Sequence, residues 1–169
     1  MPNNINKRIE LWNKERGFTT FNADVEVLML SEEIAECTEA TTLAHKLQEF
    51  ADVLFVLRGT LFKFRMSHFQ SFRAMEHAHE TMETIAAWVQ GSLRDLESTI
   101  RPMLPPAVPF SEVVDAALEL VTIANEAKPA KTKNGKGIKG DNYVSPLGPI
   151  KAMLKDIYGV ESCILKNTY

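Results

Sequence analysis

LSEEIAECTEATTLAHKLQEFADVLFVLR, residues 30–58, carries two acidic pairs at helical spacing. Glu33 and Glu36 are three residues apart, with Glu32 beside them, and Glu49 and Asp52 are also three apart. Residues at i and i+3 share a helix face, so each pair aims two carboxylates at one point. If the segments that start at Ser31 and Leu47 are antiparallel helices, four carboxylates converge. Asp52 is the one polar residue of FADVLFVL, residues 50–57. So apolar a run is buried, and a buried carboxylate must be paired, protonated or bound to a cation. Something positive is expected between the two helices.

The rest of the composition sets bounds. A chain of 169 residues is long enough for one domain, 1–169, with a full core. Hydrophobic residues at 45% and charged residues at 24% are ordinary for a soluble globular protein. A net charge of -3 excludes a chain built to coat nucleic acid or an anionic membrane. No apolar run approaches the roughly 20 residues of a membrane span, and MPNNINKRIELW has no signal-peptide core. Cys37 and Cys163 make no disulfide framework, which points to the reducing cytoplasm.

Outward from the acidic stretch, the chain reads as helices throughout. Asn4 to Arg16 is a short first helix with Ile5, Ile9 and Trp12 on one stripe and Gly17 ending it. Asn22 caps a second, which runs toward Ala44 with its turn placed in EATTL, 39–43. A third runs from His45 or Leu47 to Phe64. Met66 to Arg101 has no proline and one glycine, Gly91, so it reads as one bent helix or two. PMLPPAVP, 102–109, stops it. Ser111 caps a helix to Glu126, and a last helix spans Pro149 to Tyr158. VESCIL, 160–165, is a weak strand signal. The expected fold class is all-α: a bundle with one basic loop.

Two constellations carry chemistry. In the acid cluster every candidate ligand is a carboxylate, and oxygen-only ligation suits Mg²⁺, Mn²⁺ or Ca²⁺. Solvated helix faces would explain Glu32, Glu33 and Glu36 alone. Asp52 in its apolar run favours the metal, with an ion pair to Arg58 or another base as the structural alternative. The second constellation is KPAKTKNGKGIKGDNY, 128–143, with Lys128, Lys131, Lys133, Lys136 and Lys139, three glycines and one acid. Alone it reads as a solvated linker; beside a metal site its lysines and backbone N–H groups suit a polyphosphate. His77 and His79 are two apart and face different directions on a helix, a poor metal pair. No nucleophile motif, P-loop, CxxC or dinucleotide fingerprint is present.

The order Glu32-Glu33-Ile-Ala-Glu36, then Glu49-Phe-Ala-Asp52, resembles the E-E-x-x-E … E-x-x-D signature of the MazG-like all-α nucleoside triphosphate pyrophosphohydrolases. That superfamily includes phosphoribosyl-ATP pyrophosphohydrolase and dCTP pyrophosphatase. ANEAK, 124–128, and KGDNYVSP, 139–146, resemble the N-x-x-K and K-G-x-N-Y/F-x-x-P patterns of its phage and bacterial members. The motifs cover residues 22–64 and 111–157. Residues 66–109 look like an inserted helical pair that carries no motif.

The resemblance implies metal ligation by Glu33, Glu36, Glu49 and Asp52, with one to three Mg²⁺ or Mn²⁺ ions. It implies Glu32 or Glu36 as general base, and nucleotide contacts from Asn125, Lys128, Lys139 and Tyr143. The implied reaction is hydrolysis of a (deoxy)nucleoside triphosphate to monophosphate and pyrophosphate in nucleotide-pool control, with a purine such as dGTP as the leaning. The alternatives are phosphoribosyl-ATP as substrate, or a non-catalytic nucleotide-binding α-bundle. It further implies a homodimer or homotetramer. Trp12, Phe18 and Phe21 are read as core, with base stacking as their alternative role.

Overall fold

The computed structural model describes residues 4–130, 132–133 and 136–161, and for 132 and 133 the backbone. The elements are α1 (Ile5–Glu15), α2 (Ala23–Glu39), α3 (Leu43–Met66), α4 (Phe72–Ile100), α5 (Phe110–Glu126), a minimal hairpin of β1 (Thr132–Lys133) and β2 (Lys136–Gly137), and α6 (Leu147–Tyr158). The described chain is thus mostly helical. Cys163, Lys131 and most of the weak strand signal at 160–165 lie outside the described residues.

Local chemistry sets the helix ends. Asn4 accepts from the Lys7 N–H, Asn22 from those of Asp24 and Val25, and Thr42 from that of His45. These caps satisfy N–H groups that have no partner inside the helix. Gly17 follows α1 with φ 72°, a left-handed conformation that glycine adopts without strain. The α2–α3 turn occupies Ala40–Thr42, within EATTL, so α2 stops short of Ala44. Buried Lys46 fastens this turn: its ammonium donates to the Cys37 and Thr38 carbonyls at 3.2 and 3.3 Å. A cation on the last carbonyls of a helix also suits the helix dipole.

α3 organises the bundle. It is 24 residues long and packs against α1, α2, α4, α5 and α6. Leu43, Leu47, Phe50, Ala51 and Phe55 join the main core with Ile9, Trp12, Ile100, Val113, Leu118, Val121, Ile150 and Leu154. Val53 points to a second cluster, where Leu30 of α2 meets Met82, Ile85 and Val89 of α4. A helix that is apolar around most of its circumference has to be covered on most sides. The run 50–57 does this here.

Three expectations need correction. Residues 66–109 do not form a helical pair: α4 is one helix of 29 residues, followed by a single 3-10 turn at Arg101–Met103. Gly91 sits inside α4 with open space around it. A lone glycine costs about 1 kcal/mol, too little to break a helix whose other face is packed. Ser111 is not a cap: α5 starts at Phe110 after Pro109 and has no side-chain cap. Proline fixes an extended entry there and needs no N–H partner of its own. Finally, α6 starts at Leu147, two residues before Pro149, which sits in the first turn where its missing N–H is harmless.

Candidate functional site

The turn at Ala40–Thr42 places the two acidic pairs symmetrically on α2 and α3. Glu33, Glu36 and Glu49 each present a carboxylate oxygen within 4.8 Å of the others. Asp52, one turn further along α3, lines the same cavity of about 380 Å³. Asn125, Lys128, Lys136, Lys139 and Tyr143 line it from the opposite side. The cavity is therefore acidic on its α2–α3 wall and basic on the wall built by the end of α5 and the 128–143 segment.

Burial makes the acidic wall costly. Glu49 is 4% exposed. Removal from water, then the charge of Glu36, pushes its carboxyl up from an ordinary 4.5 to about 7. Glu33 moves to about 7 for the same two reasons, with Lys136 and Lys128 opposing. Asp52 is only partly covered, yet it is ringed by protein. Its carboxyl is raised well above the usual range by burial and by Glu33 and Glu49. Desolvation and like charge act in the same direction on all three.

Neighbours hold these carboxylates in place. Glu49 Oε1 accepts from Gln48 Nε2 at 3.0 Å and lies 3.0 Å from His45 Nε2. Gln48 Oε1 is buried in the same wall with no hydrogen-bond partner among the described residues. Arg58 does not neutralise Asp52; the charge it feels is that of Asp115, and burial lowers its pKa. The structural alternative for Asp52, an ion pair with Arg58, is therefore not what this fold forms. Nearest in charge terms among the cations is Lys128, whose pKa burial lowers and Asp52 raises.

The basic wall is anchored to α1. Trp12 Nε1 donates to the Asn125 carbonyl at 2.8 Å, and the Arg16 guanidinium lies 4.3 Å over the Trp12 ring and donates to the Lys128 carbonyl at 2.5 Å. Lys128 Nζ donates to Asn125 Oδ1 at 2.6 Å, so the N-x-x-K spacing brings both side chains into one contact. The ammoniums of Lys128 and Lys139 lie 5.4 and 5.2 Å from the Tyr143 ring centre, where the π face attracts cations. Burial and the charges of Asp52 and Glu49 raise the Tyr143 pKa. Glu32 stands apart from the other acids: it is ion-paired with Lys136.

Two of the three aromatics read as core or base-stacking line this cavity; the contribution that sequence reasoning missed is Lys63. Trp12 and Phe18 line it, whereas Phe21 packs edge-on against Phe64 in the second core. Lys63 lines it too, and its ammonium is held by Glu26 Oε1 at 2.5 Å, while Thr60 Oγ1 donates to Glu26 Oε2 at 2.5 Å. Glu26 within DVEVLML and Lys63 within LFKF are charges embedded in apolar sequence, the same signal that singled out Asp52.

The donor set suits a hard cation. Three converging carboxylates, a fourth nearby and an orphaned amide oxygen form an all-oxygen cluster whose mutual repulsion a divalent ion would relieve. The sign of the pH effect follows. Between about 4.5 and about 7 the folded protein binds more protons at Glu33 and Glu49 than the unfolded chain does. Stability without metal is therefore expected to fall as pH rises through that window, and to level off above it. Saturating Mn²⁺ should flatten the slope. Thermal melts at pH 5 and 8, in chelator and in Mn²⁺, check this; equal midpoints in chelator would contradict the repulsion.

Comparison with protein-family models, curated proteins and solved structures finds no match. No described helix is long and apolar enough to cross a membrane.

Proposed function

We propose that this chain is a metal-dependent nucleoside triphosphate pyrophosphohydrolase of MazG-like type, releasing monophosphate and pyrophosphate. The observation that carries the reading is the pairing, across one cavity, of the converging carboxylates of Glu33, Glu36 and Glu49 with the lysines of the 128–143 segment. A carboxylate cluster alone would suit any divalent ion. Lysines facing it across a nucleotide-sized space suit an anion that arrives with the metal.

Glu33, Glu36, Glu49 and Asp52 would hold Mg²⁺ or Mn²⁺, one to three ions. When bound, the metal supplies charge neutralisation at phosphate oxygens and a water of lowered pKa. The chain's own residues do the rest. Lys128 and Lys139 bind and orient the phosphates, and Asn125 fixes Lys128 by accepting a hydrogen bond from its ammonium at 2.6 Å. Exposed Glu36, on the cavity side of α2, can take a proton from an attacking water. Glu32 is engaged by Lys136, so as the chain stands it is less free to act as base. Trp12 and Phe18 offer an aromatic wall for a base, and a purine such as dGTP is the substrate this reading leans to.

An assembly of two or four copies in the cytoplasm belongs to the same reading. Val25, Val27 and Leu28, exposed on α2, are the apolar surface it would cover. The test is to incubate the protein with each ribo- and deoxynucleoside triphosphate, and with phosphoribosyl-ATP, in Mg²⁺ or Mn²⁺. Metal-dependent monophosphate and pyrophosphate are expected from a triphosphate. Turnover of phosphoribosyl-ATP alone would move the protein to histidine synthesis. Nucleotide binding without turnover would make it a binding module.

A further inference from the structure

Of the lysines that line the cavity, Lys128 and Lys139 are already settled: the first on Asn125, both over the Tyr143 ring. Lys136 is placed differently. Its ammonium pairs with Glu32, the carboxylate next to the converging acids, and it feels the charges of Glu33 and Glu36 as well. This is the one ion pair between the 128–143 segment and α2 among the described residues.

The backbone beside it is pinned. A Cβ on Gly137 would come within 3.1 Å of Trp12 Cζ2 and 3.4 Å of Lys128 Cδ, so the backbone lies close against the indole, where a side chain would be crowded. Gly140 lies as close to Pro129, with 3.2 Å to its Cδ. β2 pairs with β1 at Lys136↔Lys133, which fixes the backbone further. The pivot is thus fixed while the head is exchangeable. Both side chains of the pair are about half exposed, at 50% and 42%. Exposed pairs are worth only about 0–1 kcal/mol, so the contact with Glu32 is easily exchanged, and a polyphosphate in the cavity offers the ammonium several anionic oxygens in place of one carboxylate.

We propose that Lys136 is a phosphate ligand held in reserve: it rests on Glu32 and transfers its ammonium to an incoming polyphosphate, which frees Glu32 at the edge of the acid cluster. This rests on the phosphate reading above and adds to it a binding residue and an order of events. No bond is made or broken beyond the exchange of one hydrogen-bonded ion pair for another. Lys136 is a binding residue here, and Glu32 acts through it, as its competitor.

Calorimetric binding of pyrophosphate to the full chain at saturating Mn²⁺ tests the exchange, with Lys136→Met, Glu32→Gln and the double variant. Lys136→Met is expected to weaken binding about tenfold. Glu32→Gln should tighten it about threefold, because Lys136 no longer has to leave a partner. In the Lys136→Met background, Glu32→Gln should do nothing. The same tightening in both backgrounds would mean that Glu32 acts only as a repelling charge, and would overturn the exchange. So would a Lys136→Met protein that binds as the parent does. Failure of the parent chain to bind pyrophosphate with Mn²⁺ would instead remove the phosphate reading itself. Trp12 emission in a Trp88→Phe background adds a structural readout, since Trp12 touches Gly137 beside the moving head. A spectrum that shifts on pyrophosphate binding in the parent and not in Lys136→Met is the expected result, and identical shifts in both would count against it.

Discussion

Asp52→Asn is expected to yield a protein that melts higher than the parent in chelator and no longer hydrolyses a triphosphate. Both effects have one cause. Asp52 is held among Glu33, Glu49 and Glu36 with its carboxyl largely desolvated, and its pKa is raised accordingly. An amide of the same shape keeps the packing and removes one of the repelling charges. The gain should grow as pH rises and the cluster loses its protons, and should shrink toward pH 5, where protons already relieve Glu33 and Glu49. Each kcal/mol of relief moves the midpoint by roughly 2–4 °C in a chain of this size. Turnover should drop by at least about 10²–10³-fold, since in the proposed function Asp52 would help to hold the metal. Melting curves and a pyrophosphate assay on one preparation decide it. An active Asp52→Asn enzyme would remove Asp52 from the metal site, and an unchanged midpoint in chelator would deny the repulsion.

The opposite behaviour is expected at Lys63. Glu26 is 1% exposed, and it is held by the Lys63 ammonium and the Thr60 hydroxyl. Lys63→Met would leave a buried carboxylate without its cation, a loss of about 3–5 kcal/mol, or a fall of roughly 6–20 °C in melting temperature. Replacing all three polar groups together, as Glu26→Leu, Thr60→Val and Lys63→Met, should recover most of that loss, because nothing charged is then left buried. Urea unfolding of the single and triple variants measures it. A mild single variant, or a triple variant no better than the single, would show that the pair does not anchor α2 to α3. Lys63 also lines the cavity, so comparing pyrophosphate binding in the triple variant tells whether its charge is felt there.

The contrast between these clusters explains what the sequence could and could not disclose. Asp52 was legible because one charge in FADVLFVL needs a reason, and its i−3 partner Glu49 was adjacent in the chain. The pairing of α2 with α3 followed from two acidic pairs at helical spacing. Glu26 and Lys63 also lie in apolar sequence, but they are far apart in the chain, and each alone reads as the solvated edge of an amphipathic helix. Only the α2–α3 register brings them together. Gly91 leaves one bent helix or two open in 66–101, and one forms in place of the inserted pair that the resemblance suggested. The cost of the glycine is small against the packing of Met82, Ile85 and Val89 on Leu30 and Val53. The β1–β2 hairpin had no signal at all: two residues per strand is below what alternation can reveal. Lys136 on Glu32 was likewise out of reach, since nothing in a lysine-rich segment says which lysine meets which acid.

Because α3 packs against each of the five other α-helices of the described fold, its central amides are expected to be among the slowest to exchange. Glu49 and Asp52 ride on that segment, so their spacing lasts as long as the fold does. The facing wall is held by another means: Gly137 lies against Trp12, Arg16 donates to the Lys128 carbonyl, and Lys136 pairs with Glu32. One wall of the cavity is therefore set by the helix that the rest of the bundle encloses, the other by side chains that reach it from α1 and α2.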